Sequence, residues 1–422
     1  MEKEKILGIV GVHYPYVLSE SFFHEELLNL SQHFSKIIVF LTDTHLLQER
    51  KVLFQVPENV ELVEMNTRVS LITKTSSVFK LKPFELFEEL KSRKPNFKLA
   101  DKIQALKSVL YYESRASLFE KKLRSFLVKR SIHPENFILY SYWLNEYTYG
   151  LTKLNWNSRK YKIYSRAHGW DVYEERHNPP FLPFRKQIIS QLNGLFPISE
   201  NGKKYILENF KISDQSKIIV ARLGTSSLKY NGKMDEDKKL NILSIAFLSP
   251  IKNIELLIDA LAKLDLPFHW THIGDSNSKY AQKIRQLAKD RIAQYENRVT
   301  FMGGIPNEQI KFLIENEGID LLVNTSFSEG IPVSMMEALS AGIPVVGPKI
   351  GGIPEIINPE CGILLSEKPD SAELKRNLEK YFSLPIEAKL EMKKMAVKQW
   401  EMKFSSSTNY KVFAKLLKGE KS

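Results

Sequence analysis

Residues 324–352 read NTSFSEGIPVSMMEALSAGIPVVGPKIGG. An apolar run, Asp320–Asn324, leads into this stretch. The turn Ser328-Glu329-Gly330-Ile331-Pro332 follows, then a helical pattern carrying Glu337, then a second apolar run at Pro344–Val346. Two short, continuously apolar strands joined by a helix make a βαβ crossover, the connection a parallel sheet covered on both faces requires. Within the turn, Gly330 lets the backbone approach a ligand closely, and Pro332 suits the first turn of a helix. The free amides and positive dipole end at that point favour an anion.

Glu329 and Glu337 lie eight residues apart, one in the turn and one inside the helix. A carboxylate accepts hydrogen bonds from two vicinal hydroxyls, so the pair suits the two ends of a sugar nucleotide whose phosphates lie near the amides. Read as structure alone, glutamates at a helix start merely favour the helix. That accounts for Glu329. It leaves unexplained Glu337, more than two turns along, and Gly347, Gly351 and Gly352 after the next strand.

The same alternation extends outward in both directions. Candidate strands are Ile6–Val12, Ile37–Leu41, Val60–Met65, Phe137–Ser141, Lys162–Arg166, Gly194–Ile198 and Ile218–Ala221. A second series comprises Asn241–Phe247, His269–Ile273, Val299–Met302, Asp320–Asn324, Pro344–Val346 and Gly362–Leu365. Helical patterns separate them, clearest at Ile254, Leu257, Ile258, Leu261 and Leu264. Polar Ser226–Lys239 divides the two series and reads as a linker. The expected domains are 1–230, then 239–395, with a terminal helical segment at 396–422 that returns to the first domain. Ligands of such sheets bind beyond the carboxyl ends of the strands.

The chain has 422 residues, 43% hydrophobic and 26% charged, which suits two or three globular domains and excludes disordered and collagenous classes. The single cysteine, Cys361, excludes an internal disulfide and a cysteine-based zinc cluster. No run of roughly 18 apolar residues occurs, and the N-terminal run is too short for a secretory signal, so a cytoplasmic protein is expected.

Formal net charge is +12. Residues 68–130 hold sixteen Lys/Arg against six acids, so this stretch carries most of the excess. Leu110, Leu118 and Phe119, and then Leu123, Phe126 and Leu127, form helical stripes within it. It reads either as a helical insert with a solvated basic face or as a cationic amphipathic surface for anionic lipid headgroups. Nucleic acid is not expected as a partner, because no recognisable binding module is present.

The ordered set of motifs closely resembles the retaining GT-B glycosyltransferases, specifically glycosyltransferase family 4. Glu329 and Glu337 match the Glu-x7-Glu signature. Ser249-Pro250-Ile251-Lys252-Asn253 resembles the basic loop opening the C-terminal domain. Gly274-Asp275 sits where the family has Gly-Asp-Gly, Arg298–Gly303 resembles the strand beside the nucleobase, and Val345–Gly352 the stretch closing the donor pocket. Ala167–Tyr173 and Pro197–Glu200 are similar to a branch that builds exopolysaccharide, colanic-acid-like or O-antigen repeats.

The implied fold is α/β: two doubly wound Rossmann-like domains facing a cleft, with the basic helical insert in the first. The implied reaction moves a hexose from a nucleotide diphosphate sugar to a lipid-linked or growing glycan, with retention. In it Glu329, His168 and Lys252 act at the reacting centre, Glu329 holding the transferred sugar and Lys252 the diphosphate. Glu337, Gly330, Ile331, Pro332, Val333, Ser249, Gly274, Gly303 and Arg222 would serve the donor. Tyr14, Ser19, Glu20 and Asp171 would lie on the acceptor side. The resemblance implies no cofactor beyond the donor as co-substrate, UDP-sugar favoured over GDP-sugar. A metal is not expected, since no ligand spacing for one is present. The expected location is the inner face of the plasma membrane, in peripheral contact with anionic lipid.

Three departures bear on this expectation. Phe247 stands where many relatives have an arginine partner for the diphosphate, for which Arg222 is the candidate substitute. The loop after the first strand lacks the glycines common in the family, and Gly274-Asp275-Ser276 lacks the second glycine of its motif. A sugar-nucleotide-binding subunit with weak catalysis is the competing reading. A two-domain epimerase or hydrolase, which needs no acceptor, is a third.

Overall fold

The computed structural model describes residues 5–69, 97–155, 161–230, 232, 239–276 and 278–420. The chain divides into two compact units, Met1–Arg222 with Tyr410–Ser422, and Leu223–Asn409. Each is built on one six-stranded parallel sheet. In unit 1 the strands are β1 (Ile6–Gly11), β2 (Lys36–Leu41), β3 (Val60–Glu64), β4 (Phe137–Ser141), β5 (Lys162–Ala167) and β6 (Gly194–Pro197). Their order is β3-β2-β1-β4-β5-β6. In unit 2 they are β7 (Leu240–Ile245), β8 (Phe268–Ile273), β9 (Val299–Phe301), β10 (Leu321–Val323), β11 (Val345–Pro348) and β12 (Gly362–Leu365), in the order β12-β11-β10-β7-β8-β9. These are two doubly wound, Rossmann-like units, the α/β class the sequence predicts. In each, the strand order reverses at one point, between β1 and β4 and between β7 and β10.

Both faces of the first sheet are buried, and the period of two sorts its side chains. Val10, Ile38, Phe40, Phe137 and Leu139 pack on one side against helices Leu99–Lys129, Glu146–Lys153 and Arg185–Gln191. Leu7, Ile9, Ile37, Val39, Leu41 and Tyr140 pack on the other against helix Ser21–Ser31 and the segment beginning at Tyr410. In unit 2, helix Ile254–Leu261 buries Ile254, Leu257, Ile258 and Leu261, the predicted stripe, against β7, β8 and helix Ser371–Phe382. Full burial of such side chains contributes about 1.5–3 kcal/mol each.

The expected strand Ile218–Ala221 forms only an isolated bridge to β6. Leu195 N–H donates to the Lys217 carbonyl, Ile219 N–H to Leu195 and Ala221 N–H to Pro197. The bond between the last two needs an N–H at position 197, which proline lacks, so the ladder is interrupted there.

Helix Leu99–Lys129 is continuous for 31 residues and buries Ala105, Val109, Ala116, Phe119, Leu123 and Leu127, while Leu110, Leu118 and Phe126 are only half-buried. Arg115, counted among the basic surface residues, is instead buried and paired with Asp43 and Glu146. Lys153 is paired likewise with Glu113 of the same helix. Residues 70–96 of the basic stretch, and 231 and 233–238 of the linker, lie outside the described residues. Among the described residues no helix is long and apolar enough to cross a membrane.

Candidate functional site

The reversal of strand order in unit 2 parts the loops after β7 and β10, opening the crevice where ligands of doubly wound sheets bind. Both loops carry predicted residues. After β7 the chain turns through Ser249 into a short helix, Pro250–Lys252, closed by Asn253 in the left-handed region. After β10 come Asn324 to Pro332 and then helix Val333–Ser340. Two bonds stitch the loops together: Phe327 N–H donates to the Ile251 carbonyl at 2.8 Å, and Thr325 Oγ1 to the Lys252 carbonyl at 3.1 Å.

This stitching sets Lys252 Nζ 2.7 Å from Glu329 Oε1. The same oxygen accepts from Ser326 Oγ at 2.6 Å and Asn324 Nδ2 at 3.2 Å. Oε1 thus takes three donors and Oε2 none of them, leaving Oε2 to an incoming hydroxyl. Burial opposes ionisation of Glu329, but the Lys252 charge and the hydrogen bonds from Lys252, Ser326 and Asn324 outweigh it and hold the carboxyl below the usual glutamate range. The Lys252 side chain keeps 24% of its surface, enough to offer its remaining N–H groups to an anion.

Glu337 is buried on the following helix, where Asn307 Nδ2 approaches its Oε1 at 3.4 Å. The glycines after β11 find their reason here. Gly351 has φ +48°, and a Cβ on it would sit 1.9 Å from the Glu329 carbonyl oxygen; one on Gly352 would sit 2.4 Å from that of Gly330. Gly352 N–H also donates to the Gly330 carbonyl at 2.7 Å. The Glu329–Gly330 turn is therefore held by a backbone that approaches too closely for any side chain. Gly330, Ile331 and Pro332 are buried beside it, and Pro332 precedes the helix that Val333 begins.

Gly274 follows β8 with φ +114°; a Cβ there would meet the Ala246 carbonyl oxygen at 2.2 Å, and its N–H donates to the Gly303 carbonyl at 2.8 Å. The β7, β8 and β9 loops holding Ser249, Gly274 and Gly303 are thereby neighbours. Asp275 is engaged by Arg285 at 2.7 Å. Phe247, in the position of the missing arginine, is 64% exposed.

Unit 1 carries the other predicted residues. His168 follows β5 with its ring against Tyr142 and Trp143, centroids 4.7 and 4.4 Å away. Its Nδ1 lies 3.7 Å from Asp171 Oδ2, and among the described residues neither buried ring nitrogen finds a hydrogen-bond partner. The Asp171 carboxylate accepts the backbone N–H groups of His168 and Leu144. Arg222 lies 3.8 Å from Glu200. Tyr14 is fully buried, its hydroxyl 3.1 Å from His24 Nδ1, and its burial raises the phenol pKa. Ser19 is exposed, whereas Glu20 is buried and accepts the His13 N–H at 3.2 Å. Burial pushes the Glu20 carboxyl up, against that hydrogen bond.

Sequence reasoning did not single out Asn324, Ser326 or Asn307. The first two sit in the NTSFSEG run, whose three small polar residues after a strand are a readable signal. Asn307 lies on a different helix, Asn307–Asn316, and only the fold brings it to Glu337. Among the described residues no cluster of three or more metal-ligating side chains occurs.

Comparison with known proteins points to the same segment. Residues 229–399 match the family described as Glycosyl transferases group 1. Over 265 residues the chain is 24% identical to the putative colanic acid biosynthesis glycosyltransferase WcaL of Escherichia coli, covering 61% of this chain and 64% of that protein. Over 169 residues it is 34% identical to the amylovoran biosynthesis glycosyltransferase AmsK of Erwinia amylovora, covering 37% and 40%. The matches thus span less than two thirds of these relatives.

Among solved structures, sucrose-phosphate synthase from Thermosynechococcus elongatus superposes with TM-score 0.72 at 14% identity, over 98% of each chain. HepE of Anabaena, solved with UDP and glucose, superposes with TM-score 0.65 at 17% identity, over 99% of this chain and 100% of that one. At these identities the likeness is one of fold, the GT-B fold. Residues 229–399, which hold Lys252, Glu329 and Glu337, are the part of the chain that matches glycosyl transferases group 1.

Proposed function

We propose that the protein is a glycosyltransferase. It moves a hexose from a nucleotide diphosphate sugar to a lipid-linked or growing polysaccharide acceptor, with retention at the anomeric carbon, in the biosynthesis of a cell-surface glycan. The observation that carries this is the Lys252–Glu329 ion pair at the β7/β10 reversal, one helix away from a second buried carboxylate, Glu337. The relatives named for colanic acid and amylovoran biosynthesis support the pathway class, and HepE with UDP and glucose supports the donor class, UDP-sugar ahead of GDP-sugar.

In this reading Glu337 accepts the ribose hydroxyls. Glu329 Oε2 accepts hydroxyls of the transferred sugar while Oε1 stays anchored. Lys252 turns its free N–H groups to the diphosphate. A fixed cation stabilises the leaving group as its charge grows, which is usually the largest catalytic contribution. Glu329 positions the sugar; its stabilised, ionised carboxylate need not form a covalent bond, and the leaving phosphate oxygen takes the acceptor proton. The amides of Gly330 to Val333, with Ser249, Gly274 and Gly303, support the nucleotide.

Peripheral contact with anionic lipid on the inner face of the membrane is part of the proposal. Helix Leu99–Lys129 exposes Leu99 and Ile103 by 76% and 47% beside Lys98, Lys102 and Lys107. Each basic residue near such a surface contributes about 1 kcal/mol. Flotation with anionic vesicles but not neutral ones is expected, and equal flotation with both removes this part.

The test of the activity is thermal stabilisation by UDP, GDP and their common sugars, followed by release of free nucleoside diphosphate with membrane extract as acceptor. No stabilisation by any nucleotide overturns the proposal. The exposed Phe247 favours a second reading, a binding subunit with weak catalysis; tight donor binding without release, even with authentic acceptor, would select it.

A further inference from the structure

The loop that carries Lys252 is fixed by more than its two bonds from the β10 loop. From Leu248 to Lys252, five consecutive backbone carbonyls each accept a hydrogen bond. Ser249 receives the N–H of Lys252 at 3.0 Å and Pro250 that of Asn253 at 3.2 Å, both from within the loop. Ile251 receives the Phe327 N–H, and Lys252 the Thr325 hydroxyl. The fifth, Leu248, receives Ser276 Oγ at 2.7 Å, from the loop after β8. Ser276 has one hydroxyl proton to give, so in its 2.8 Å contact with Ser278 Oγ it is Ser278 that donates. Ser278 also caps helix Lys279–Arg291, accepting the Ala281 N–H at 3.1 Å. A helix end and two hydroxyls thus tie the β8 loop to the opening of the Lys252 loop.

We propose that Ser276 is a positioning residue for Lys252, the counterpart at the opening of the loop to Thr325 at its close. Leu248 is 1% exposed, so without the Ser276 hydroxyl its carbonyl is left unpaired away from solvent, and the loop must shift to find another donor. Between the two pins Pro250 holds one φ fixed, and Asn253 ends the turn in the left-handed region. Lys252 is therefore held at its backbone by Ser276 and Thr325 and at its ammonium by Glu329. A cation fixed in this way reorganises little when a diphosphate arrives, which is what makes a charge effective at a leaving group. The serine at 276, a departure from the motif's second glycine, thereby has a use that no glycine could serve. It acts through the loop backbone and Lys252. The role rests on the glycosyl-transfer reading, in which Lys252 meets the diphosphate.

The test is calorimetric titration of the full chain with UDP and GDP, and with uridine and guanosine, which lack the diphosphate. Ser276→Ala is expected to weaken nucleoside diphosphate binding about fivefold, the loss of one neutral hydrogen bond, and Thr325→Val by a similar factor. Ser276→Thr, which keeps a hydroxyl, should restore the affinity. Nucleoside affinity should stay at its wild-type value in every variant, which also reports that unit 2 is folded. In a Lys252→Ala background, Ser276→Ala should have no further effect, because the residue it acts through is gone. Equal weakening towards nucleosides and diphosphates marks a serine that only supports the fold and overturns the positioning role. An undiminished loss in the Lys252→Ala background, or no loss at all, overturns it too. Wild-type protein that binds neither diphosphate overturns the glycosyl-transfer reading itself, whereas diphosphate binding that ignores Ser276 overturns only the positioning.

Discussion

Replacing Lys252 by Met removes the cation that keeps a buried carboxylate ionised. Breaking a fully buried pair from one side costs about 3–5 kcal/mol, and the solvent reaching Lys252 reduces this to roughly 2 kcal/mol. In a unit of this size that lowers Tm by about 4–8 °C. Glu329→Gln leaves an ammonium that water can reach and should cost only about 1 kcal/mol. The double variant has neither charge to strand, so its loss should fall short of the sum by about 1–2 kcal/mol.

The pH dependence has a definite sign. The folded-state pKa of Glu329 is depressed, so its contribution is present above the ordinary glutamate value and disappears as pH falls through the folded one. In Lys252→Met the opposing effect of burial is unrelieved, the carboxyl pKa rises, and the deficit against wild type is largest near neutrality and shrinks in acid. Thermal denaturation of the four proteins from pH 4 to pH 8 reads both effects. Strict additivity, or a deficit independent of pH, would refute the coupling. With an acceptor in hand, Lys252→Ala should lower kcat by about 10²–10³, and near-wild-type turnover would remove its role at the diphosphate.

Gly351→Ala forces a methyl against the Glu329 carbonyl at a positive φ, so UDP-dependent stabilisation should be lost even if the protein folds; unchanged stabilisation would separate the glycine from the site. Glu337→Gln should raise the donor KM about tenfold with kcat little changed, the mark of a contact made equally in ground and transition states; steady-state kinetics decide. Burial lowers the Lys393 pKa to about 8, with Asp320 opposing. Wild type should therefore gain stability relative to Lys393→Met as pH rises from about 8 towards the ordinary lysine value of about 10.4, measurable by urea denaturation. His272 should stay neutral down to about pH 4 because of its burial. Its Nδ1 lies 2.8 Å from Ser244 Oγ, which also accepts the Trp270 Nε1–H; nitrogen chemical shifts followed from pH 8 to pH 4 check the neutral ring.

Local pattern carried much of this architecture. Twelve of the thirteen proposed strands form because continuous apolar runs between turn residues mean the same thing wherever they occur. The exception, Ile218–Ala221, has the composition of a strand and lost its ladder to a proline in its neighbour, a cause outside the segment. The two glutamates were legible because turn and helix are contiguous in sequence. Their pairing logic was only half so: Lys252 was expected to meet a diphosphate, and its contact with Glu329 depends on two loops 77 residues apart. Arg115 looked like one more surface cation, because its partners Asp43 and Glu146 come from segments on either side of it in the chain. Charge composition records how many cations there are and is silent on which are spent inside.

The segment from Tyr410 onward gives unit 1 an unusual dependence on timing. Arg166, wholly buried, is answered by Glu26 at 2.7 Å and roofed by the ring of Phe413 at 4.0 Å. That roof leaves the ribosome only after all of unit 2 has been synthesised. Until then the nascent first sheet waits with one flank uncovered and a guanidinium near its edge, so a nuclease-stalled message or an early stop codon would release a product whose defect lies in the half already made.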